Sequence, residues 1–329
     1  MTSLSASVPA SVPASVPASA TGSAPAPSSG SPSTPLSVAV HGATGTQGSH
    51  IARRLRAAGH DVRPLDSRSL DLADADSIVR AYGSADAAVV QLPLVFGPAA
   101  LTHAETLLTA LAKAGPSRVV FNPGMALPPE PVGVPYVDAR VLLARRLPGA
   151  VETASVIGPA GMYLENLLMP WSVRRVAQEG ELAYPLPAAA PASWTALDDL
   201  GDAVAALLRE DAPAAVGLLS GPPLTGDQVA AEVAAAAGRD VRWIHLDPAE
   251  YGRLIAPVIG DAAAAGVAAV YEQAAAAAPP PPPPAGILRP APTGVREWAA
   301  RQRWVATESG EAVTGSGGVA AAPGSEDVG

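Results

Sequence analysis

Short apolar runs and amphipathic stretches alternate along this chain, and the alternation begins at residue 38. Residues 38–40, Val-Ala-Val, read as a strand buried on both faces. Behind it Ile51, Leu55 and Ala58 recur at helical spacing, and Gly59 stands where that helix should stop. Residues 62–65 give a second strand and 70–72 a further short one. A helix over 77–82 follows, with Asp74 or Asp76 as its cap. The pattern continues with a strand at 87–92 and a helix at 98–114, stopped by Gly115 and Pro116. A strand at 118–121, a helix at 136–147 and a strand at 151–157 complete the first half. Strict alternation of this kind predicts an α/β fold, a doubly wound parallel sheet with helices on both faces.

The second half is less regular. A helix is expected over 161–179, carrying Tyr163, Glu165, Asn166 and Trp171, then extended pieces at 182–186 and 192–196. Asp198 is placed to cap the next helix. After it come a strand at 216–220, a helix from Thr225 to Ala237 and a strand at 241–246. A helix at 248–273 and a last one at 296–305, with two tryptophans, close the pattern. These pieces predict a smaller C-terminal α+β lobe over the carboxyl end of the sheet.

Composition sets the boundaries. Residues 1–35 hold a repeated Ala-Ser-Val-Pro unit and a Ser/Pro/Ala/Gly run, without a periodic apolar face, and are expected to be disordered. They have neither the basic start nor the continuous apolar core of a secretory signal. Residues 306–329 read as a flexible tail, and the proline run 279–284 is extended by necessity. The expected partition is an α/β core at 36–160 and a smaller lobe at 161–305 that returns some elements to the core. The absence of cysteine removes disulfides and thiolate metal sites. The five histidines are dispersed without metal-ligand spacing. With 21 Lys+Arg against 30 Asp+Glu the net charge is −9, and no basic stripe suits a nucleic acid. No apolar run is long enough for a membrane span, so a cytoplasmic protein acting on a small molecule is expected.

The chemistry gathers where the first strand ends. Gly42, Gly45 and Gly48 are spaced G-x-x-G-x-x-G between that strand and the first helix. Gly42 permits a tight exit from the strand, Gly45 lets backbone approach a phosphate, and Gly48 lets the helix lie close on the sheet. With Thr44, Thr46 and Gln47 they form a helix N-terminus suited to a pyrophosphate. His41 is expected to pack beneath the turn. Asp66, at the end of the second strand, is placed for the hydroxyls of an adenosine ribose.

Further motifs join these. They are Arg118-Val119-Val120-Phe121-Asn122; Pro159-Ala160-Gly161-Met162-Tyr163-Leu164-Glu165-Asn166-Leu167; Asp198-Asp199-Leu200-Gly201; and Thr225-Gly226 opening a helix. On these residues the chain resembles the NmrA-like branch of the atypical short-chain dehydrogenase/reductase superfamily, over about residues 36–305. The stretch 65–72 is also similar to sugar-nucleotide reductases of the extended branch. The resemblance implies a Rossmann domain holding NAD or NADP. Asp66 and Arg68 would meet the adenosine ribose, and Asp71 and Leu72 the adenine. Gln91, Leu92 and Pro93, with Asn122, Pro123 and Gly124, would flank the ribose and nicotinamide. Asp66 favours NAD, because a carboxylate repels a 2′-phosphate, whereas Arg68 or Arg63 could bind one.

Catalytic members of the superfamily use a Tyr-x-x-x-Lys pair and an upstream serine. Here the pair reads Tyr136-x-x-x-Arg140, both on one helix face, and the serine position is the Asn122-Pro123-Gly124 turn. Tyr136 and Arg140 are therefore the catalytic candidates. The residues leave open whether Arg140 supports proton chemistry, contacts the ribose, or is structural, since arginine cannot shed its proton. Asn122 could donate to a substrate oxygen. Tyr163, Asn166 and Trp171, with Glu165 and Trp194, are candidates to line the substrate mouth. The expected function is hydride transfer from a nicotinamide cofactor to a small carbonyl or quinone-like acceptor. The alternative is a non-catalytic dinucleotide redox sensor acting on a protein partner.

Overall fold

In a computed structural model, which describes residues 34–276 and 283–305, strands and helices alternate from β1 (Ser37–His41) through α1 (Thr46–Ala57), β2 (Asp61–Leu65) and α2 (Ala75–Tyr82). There follow β3 (Ala87–Val90), α3 (Ala99–Ala114), β4 (Arg118–Phe121), α4 (Pro135–Arg146) and β5 (Thr153–Pro159). The rest of the described chain contributes β6 (Met162–Tyr163), α5 (Pro170–Glu179), β7 (Glu181–Tyr184), β8 (Ala192–Thr195) and α6 (Leu197–Leu207). Next come β9 (Val216–Ser220), β10 (Pro223–Leu224), α7 (Gly226–Ala237), β11 (Arg242–His245) and α8 (Pro248–Ile259). The described elements end with α9 (Asp261–Ala276), β12 (Leu288–Pro290) and α10 (Val295–Ala300).

Seven strands form one parallel sheet in the order β12-β9-β5-β4-β3-β1-β2. This is the expected Rossmann-like α/β fold. Its central strands β1, β3 and β4 are nearly continuous apolar runs because both faces are covered. Ala39, Val90, Val119 and Phe121 pack with Ile78, Leu107, Leu111 and Leu143 of α2, α3 and α4. Val38, Val40, Val89 and Val120 point the other way, toward Ile51 and Leu55 of α1 and Leu200 and Val204 of α6. The chain leaves β1 toward β2 and then crosses back to β3 on the far side of β1. The carboxyl ends of β1 and β3 therefore flank a topological switch point, where open α/β sheets bind ligands.

The second region is built differently. A small sheet in the order β10-β8-β6 and the parallel pair β11-β7 carry a core that contains all five tryptophans, Trp171, Trp194, Trp243, Trp298 and Trp304. α6, β9 and β12 return to the first core.

Several expectations are corrected. Residues 70–72 are not a strand: Leu70 and Leu72 are buried beneath α2 in irregular backbone, tied through the Asp71 N–H to Ser77 Oγ. The helix expected over 161–179 is the short strand β6, a 3-10 turn at Leu164–Leu168 and α5, which starts afresh at Pro170. The helix expected over 248–273 is two, α8 and α9, separated by Gly260 in a conformation with positive φ (+84°) and extended ψ that favours glycine. The last helix ends at Ala300, not 305. The expected disorder at 1–33, the tail 306–329 and prolines 279–282 lie outside the described residues.

Candidate functional site

The turn after β1 is closed by its own backbone, Gly45 N–H donating to Gly42 O at 2.9 Å with Gly42 at φ +66°. Gly48 is required by contact: a Cβ there would stand 2.1 Å from Gly42 O. α1 then begins at the extended residue Gly45 with no side-chain cap, and its first turn holds no acidic residue. The first intrahelical bond is Ser49 N–H to Gly45 O, so the N–H groups of Thr46, Gln47 and Gly48 keep their donors, as at any uncapped helix start. Thr44, Gly45 and Thr46 are exposed. Free donors, a helix dipole and a cradle without side chains fit a pyrophosphate. His41 lies under the turn with Nδ1 buried and unpartnered, and burial holds its pKa down at about 4.

The ends of β1, β3 and β4 are joined by side-chain amides. Asn122, 2% exposed, donates from Nδ2 to Gln47 Oε1 at 2.7 Å and to Gln91 Oε1 at 3.3 Å. Its Oδ1 accepts the Gly124 N–H at 2.9 Å and the Tyr163 hydroxyl at 3.1 Å. Gln91 Nε2 in turn donates to His41 O at 2.8 Å. A primary amide offers two donors and two acceptor sites, and here all four are in use. The expected donation from Asn122 to a substrate oxygen is thereby corrected: no donor is left over.

Arg140, 2% exposed, is equally committed. Its Nε donates to Pro123 O at 3.0 Å, Nη1 to Tyr136 O at 2.9 Å, and Nη2 to Leu92 O at 2.8 Å and Pro93 O at 3.1 Å. Burial lowers its pKa from the usual arginine value. The guanidinium carbon lies 3.6 Å from the Tyr136 ring centroid, while Phe96 stacks on the same ring at 4.3 Å and 12°. Two planar groups so close must take opposite faces, so the phenol is clamped. Its hydroxyl makes no hydrogen bond among the described residues, and the residue is half-buried. Phe96 is the participant sequence reasoning missed. It sits in an irregular loop, and only tertiary contact brings it to Tyr136.

At the adenosine end Asp66 stands after β2, its Oδ1 accepting the N–H groups of Arg68 and Ser69 and the Ser69 hydroxyl. The Arg68 N–H bond is foremost in holding its carboxyl below the usual range. Arg63 points away, donating to Ala81 O and Gly83 O at the end of α2, and does not face the Asp66 loop. Leu72 is turned into the core. Asp71 Oδ1 caps its own turn through the Ala73 N–H.

In the second region Tyr163 is buried, and that burial pushes its hydroxyl pKa well up. Asn166 Nδ2 donates to Tyr184 Oη at 3.2 Å. Trp171, 9% exposed, meets Tyr251 edge-on and Trp194 meets Tyr184 likewise, both within the aromatic core. Glu165 accepts the Leu197 N–H at 3.0 Å and Trp298 Nε1–H at 3.0 Å. It therefore serves the start of α6 from outside the helix. Asp198 is not the cap of α6: it lies inside the first turn and pairs with His50 Nδ1 at 2.6 Å and with Arg53.

No family model matches the chain. An NAD(P)H azoreductase of Xenophilus azovorans is 29% identical over 232 residues, 64% of this chain and 77% of that protein. An NADPH-dependent quinone oxidoreductase of Escherichia coli, solved with NADPH, has TM-score 0.52 and 19% identity, over 70% of this chain and 88% of that one. NmrA, a negative transcriptional regulator solved with NAD, has TM-score 0.52 and 16% identity, over 69% and 82%. The fold is thus the one shared by NmrA and an NADPH-dependent quinone oxidoreductase.

Proposed function

We propose that this protein is an NAD(P)H-dependent reductase for a small, planar, uncharged acceptor of the quinone, azo or conjugated carbonyl class. The observation that carries the reading is the uncapped start of α1 at the switch point, together with a clamped tyrosine whose hydroxyl is unpaired among the described residues. Bound reduced nicotinamide supplies a hydride. Thr46, Gln47 and Gly48 hold the pyrophosphate with backbone donors. Gln91 to Pro93 and Asn122 to Gly124 wall the nicotinamide end, with the carbonyls of Leu92, Pro93 and Pro123 turned to Arg140. Tyr136 orients the acceptor by its hydroxyl and hands over the proton that balances the hydride, a quinone becoming a hydroquinone or an azo group a hydrazo group. Arg140 acts on this step through Tyr136, by holding its ring. Tyr163 and Asn166 bring the smaller lobe to the acceptor, and Trp171 supports them from its core. Asp66 lends the site a lean to NAD, its second carboxylate oxygen remaining for a ribose hydroxyl.

A second reading has its own observation. Every Arg140 contact is structural, so no lysine-like group stands ready to reprotonate Tyr136, which suits a sensor that binds dinucleotide and reports to a protein partner. The deciding experiment mixes the protein with NADH or NADPH and a panel of quinones and azo dyes and follows nicotinamide absorbance. Turnover supports the reductase. Tight binding of one redox state without turnover replaces it with the sensor.

A further inference from the structure

We infer that Asn122 is a positioning residue that fixes the cofactor turn and the second lobe's Tyr163 against one another, its two halves serving separate tasks. The inference rests on the reading of the turn as a dinucleotide site. The donor half, Nδ2, holds Gln47 and Gln91. Gln47 is the second residue of α1, and Gln91 holds the carbonyl of His41, the last residue before the turn. Both ends of the phosphate-binding turn are thus tied to one amide. A Cβ at Gly124 would lie 3.4 Å from the Gln47 amide, so the β4 exit packs directly on that side chain.

The acceptor half, Oδ1, takes the Gly124 N–H and the Tyr163 hydroxyl. Tyr163 belongs to β6, which pairs with β8 of the second region. One buried amide therefore contacts the start of α1, the ends of β3 and β4, and β6. An aliphatic residue would take the donor from two glutamine oxygens and the acceptor from the Gly124 N–H and the buried Tyr163 hydroxyl, and unpaired buried groups relax by moving. The elements they sit on are the turn and β6.

The two halves can be cut separately. Gln47→Leu removes an acceptor on the donor side, and Tyr163→Phe removes the hydroxyl on the acceptor side. Asn122→Leu cuts both. Dinucleotide affinity is read by calorimetry, and kcat and acceptor KM by steady-state reduction of a quinone found to be a substrate. Gln47→Leu should weaken dinucleotide binding about tenfold, an effect of about 1.4 kcal/mol. Tyr163→Phe should leave that affinity within about twofold and lower kcat over acceptor KM about tenfold. Asn122→Leu should show both, and adding Gln47→Leu to it should weaken binding no further. A merely structural amide would lower thermal stability without this division. Additive losses of affinity in the double variant, or unaltered affinity in Asn122→Leu, overturn the inference while leaving the reductase reading intact. A wild-type protein that binds no dinucleotide overturns both. A protein that binds dinucleotide but reduces nothing leaves the affinity arm to decide alone.

Discussion

Helices α1 and α7 each begin behind a strand and an extended residue, and they complete their first turns in opposite ways. α7 is closed by its own sequence: Thr225 Oγ1 accepts the Gln228 N–H at 3.3 Å, and the Gln228 side chain accepts the Thr225 N–H at 2.9 Å. α1 has glycine at the equivalent place and no side chain to close it. The helix of the second lobe satisfies itself, whereas the first N–H groups of α1 are left without a side-chain partner. Glycine at a helix start is only roughly a few tenths of a kcal/mol worse than a capping side chain, so an open α1 costs little. The open start beside a glycine turn is what the proposed pyrophosphate site rests on.

The contrast extends to the cores. The first is mostly Ala, Val, Leu and Ile, with Tyr82, Phe121 and Tyr163 among them, on parallel strands of three to seven residues. The second has strands of two to four residues and relies on tryptophans and tyrosines, with Tyr184 edge-on to Trp194, Tyr251 and Tyr271. Few positions there carry much of the buried area. Trp243 packs on Tyr184 and Trp194, its indole N–H on Leu186 O and its ring against Gly226. Trp243→Ala should cost about 3–5 kcal/mol in urea unfolding, more than typical single truncations in the aliphatic core. A loss under about 1 kcal/mol would erase the distinction between the cores.

The helix comparison is broken most directly by giving α1 a cap. Gly45 has φ −82° and ψ 171°, so an aspartate fits the backbone, with its Cβ 3.3 Å from Gly42 O. Gly45→Asp should weaken dinucleotide binding at least about 100-fold, roughly 3 kcal/mol, by calorimetry. Its unliganded stability should stay within about 1 kcal/mol of wild type.

Acid sharpens the comparison from another side. The His41 pKa falls from 6.5 in the unfolded chain to about 4 in the fold, because burial penalises the cation. The unfolded chain therefore takes the proton first as pH drops. His41's contribution is whole above pH 6.5 and is lost progressively down to about 4. Wild type minus His41→Leu, unfolded in urea at pH 7.5, 5.5 and 4.5, should show a difference growing toward acid, up to about 3 kcal/mol. A constant difference would remove His41 from the account. The smallest expected effect is at the closed helix: Thr225→Ala should cost about 1 kcal/mol and leave dinucleotide affinity unaltered.

What could be read from the sequence was what is local. The strand, glycine turn, helix and second strand at residues 37–65 are adjacent in the chain, and their spacing alone carries the geometry. Asp74 caps α2 for the same reason. The misreadings occur where a contact from far away decides. Residues 161–179 look helical by periodicity, yet the pairing of Met162 and Tyr163 with Trp194 and Thr195 draws them into a strand. Asp198 has the chemistry of a cap, but Glu165 occupies that role and His50 and Arg53 claim the carboxylate. Arg140 was visible as a departure from lysine, whereas its four carbonyl partners come from three separate segments.

That arginine also constrains what else position 140 can hold. A lysine at 140 would bring three donors on one tetrahedral nitrogen, unable to span the carbonyls of Leu92, Pro93, Pro123 and Tyr136 together or to lie flat on a phenol. An Arg140→Lys substitution, made alone, would release the loops after β3 and β4. The guanidinium is a keystone of loop architecture, and a lysine suits this fold only together with changes in those loops.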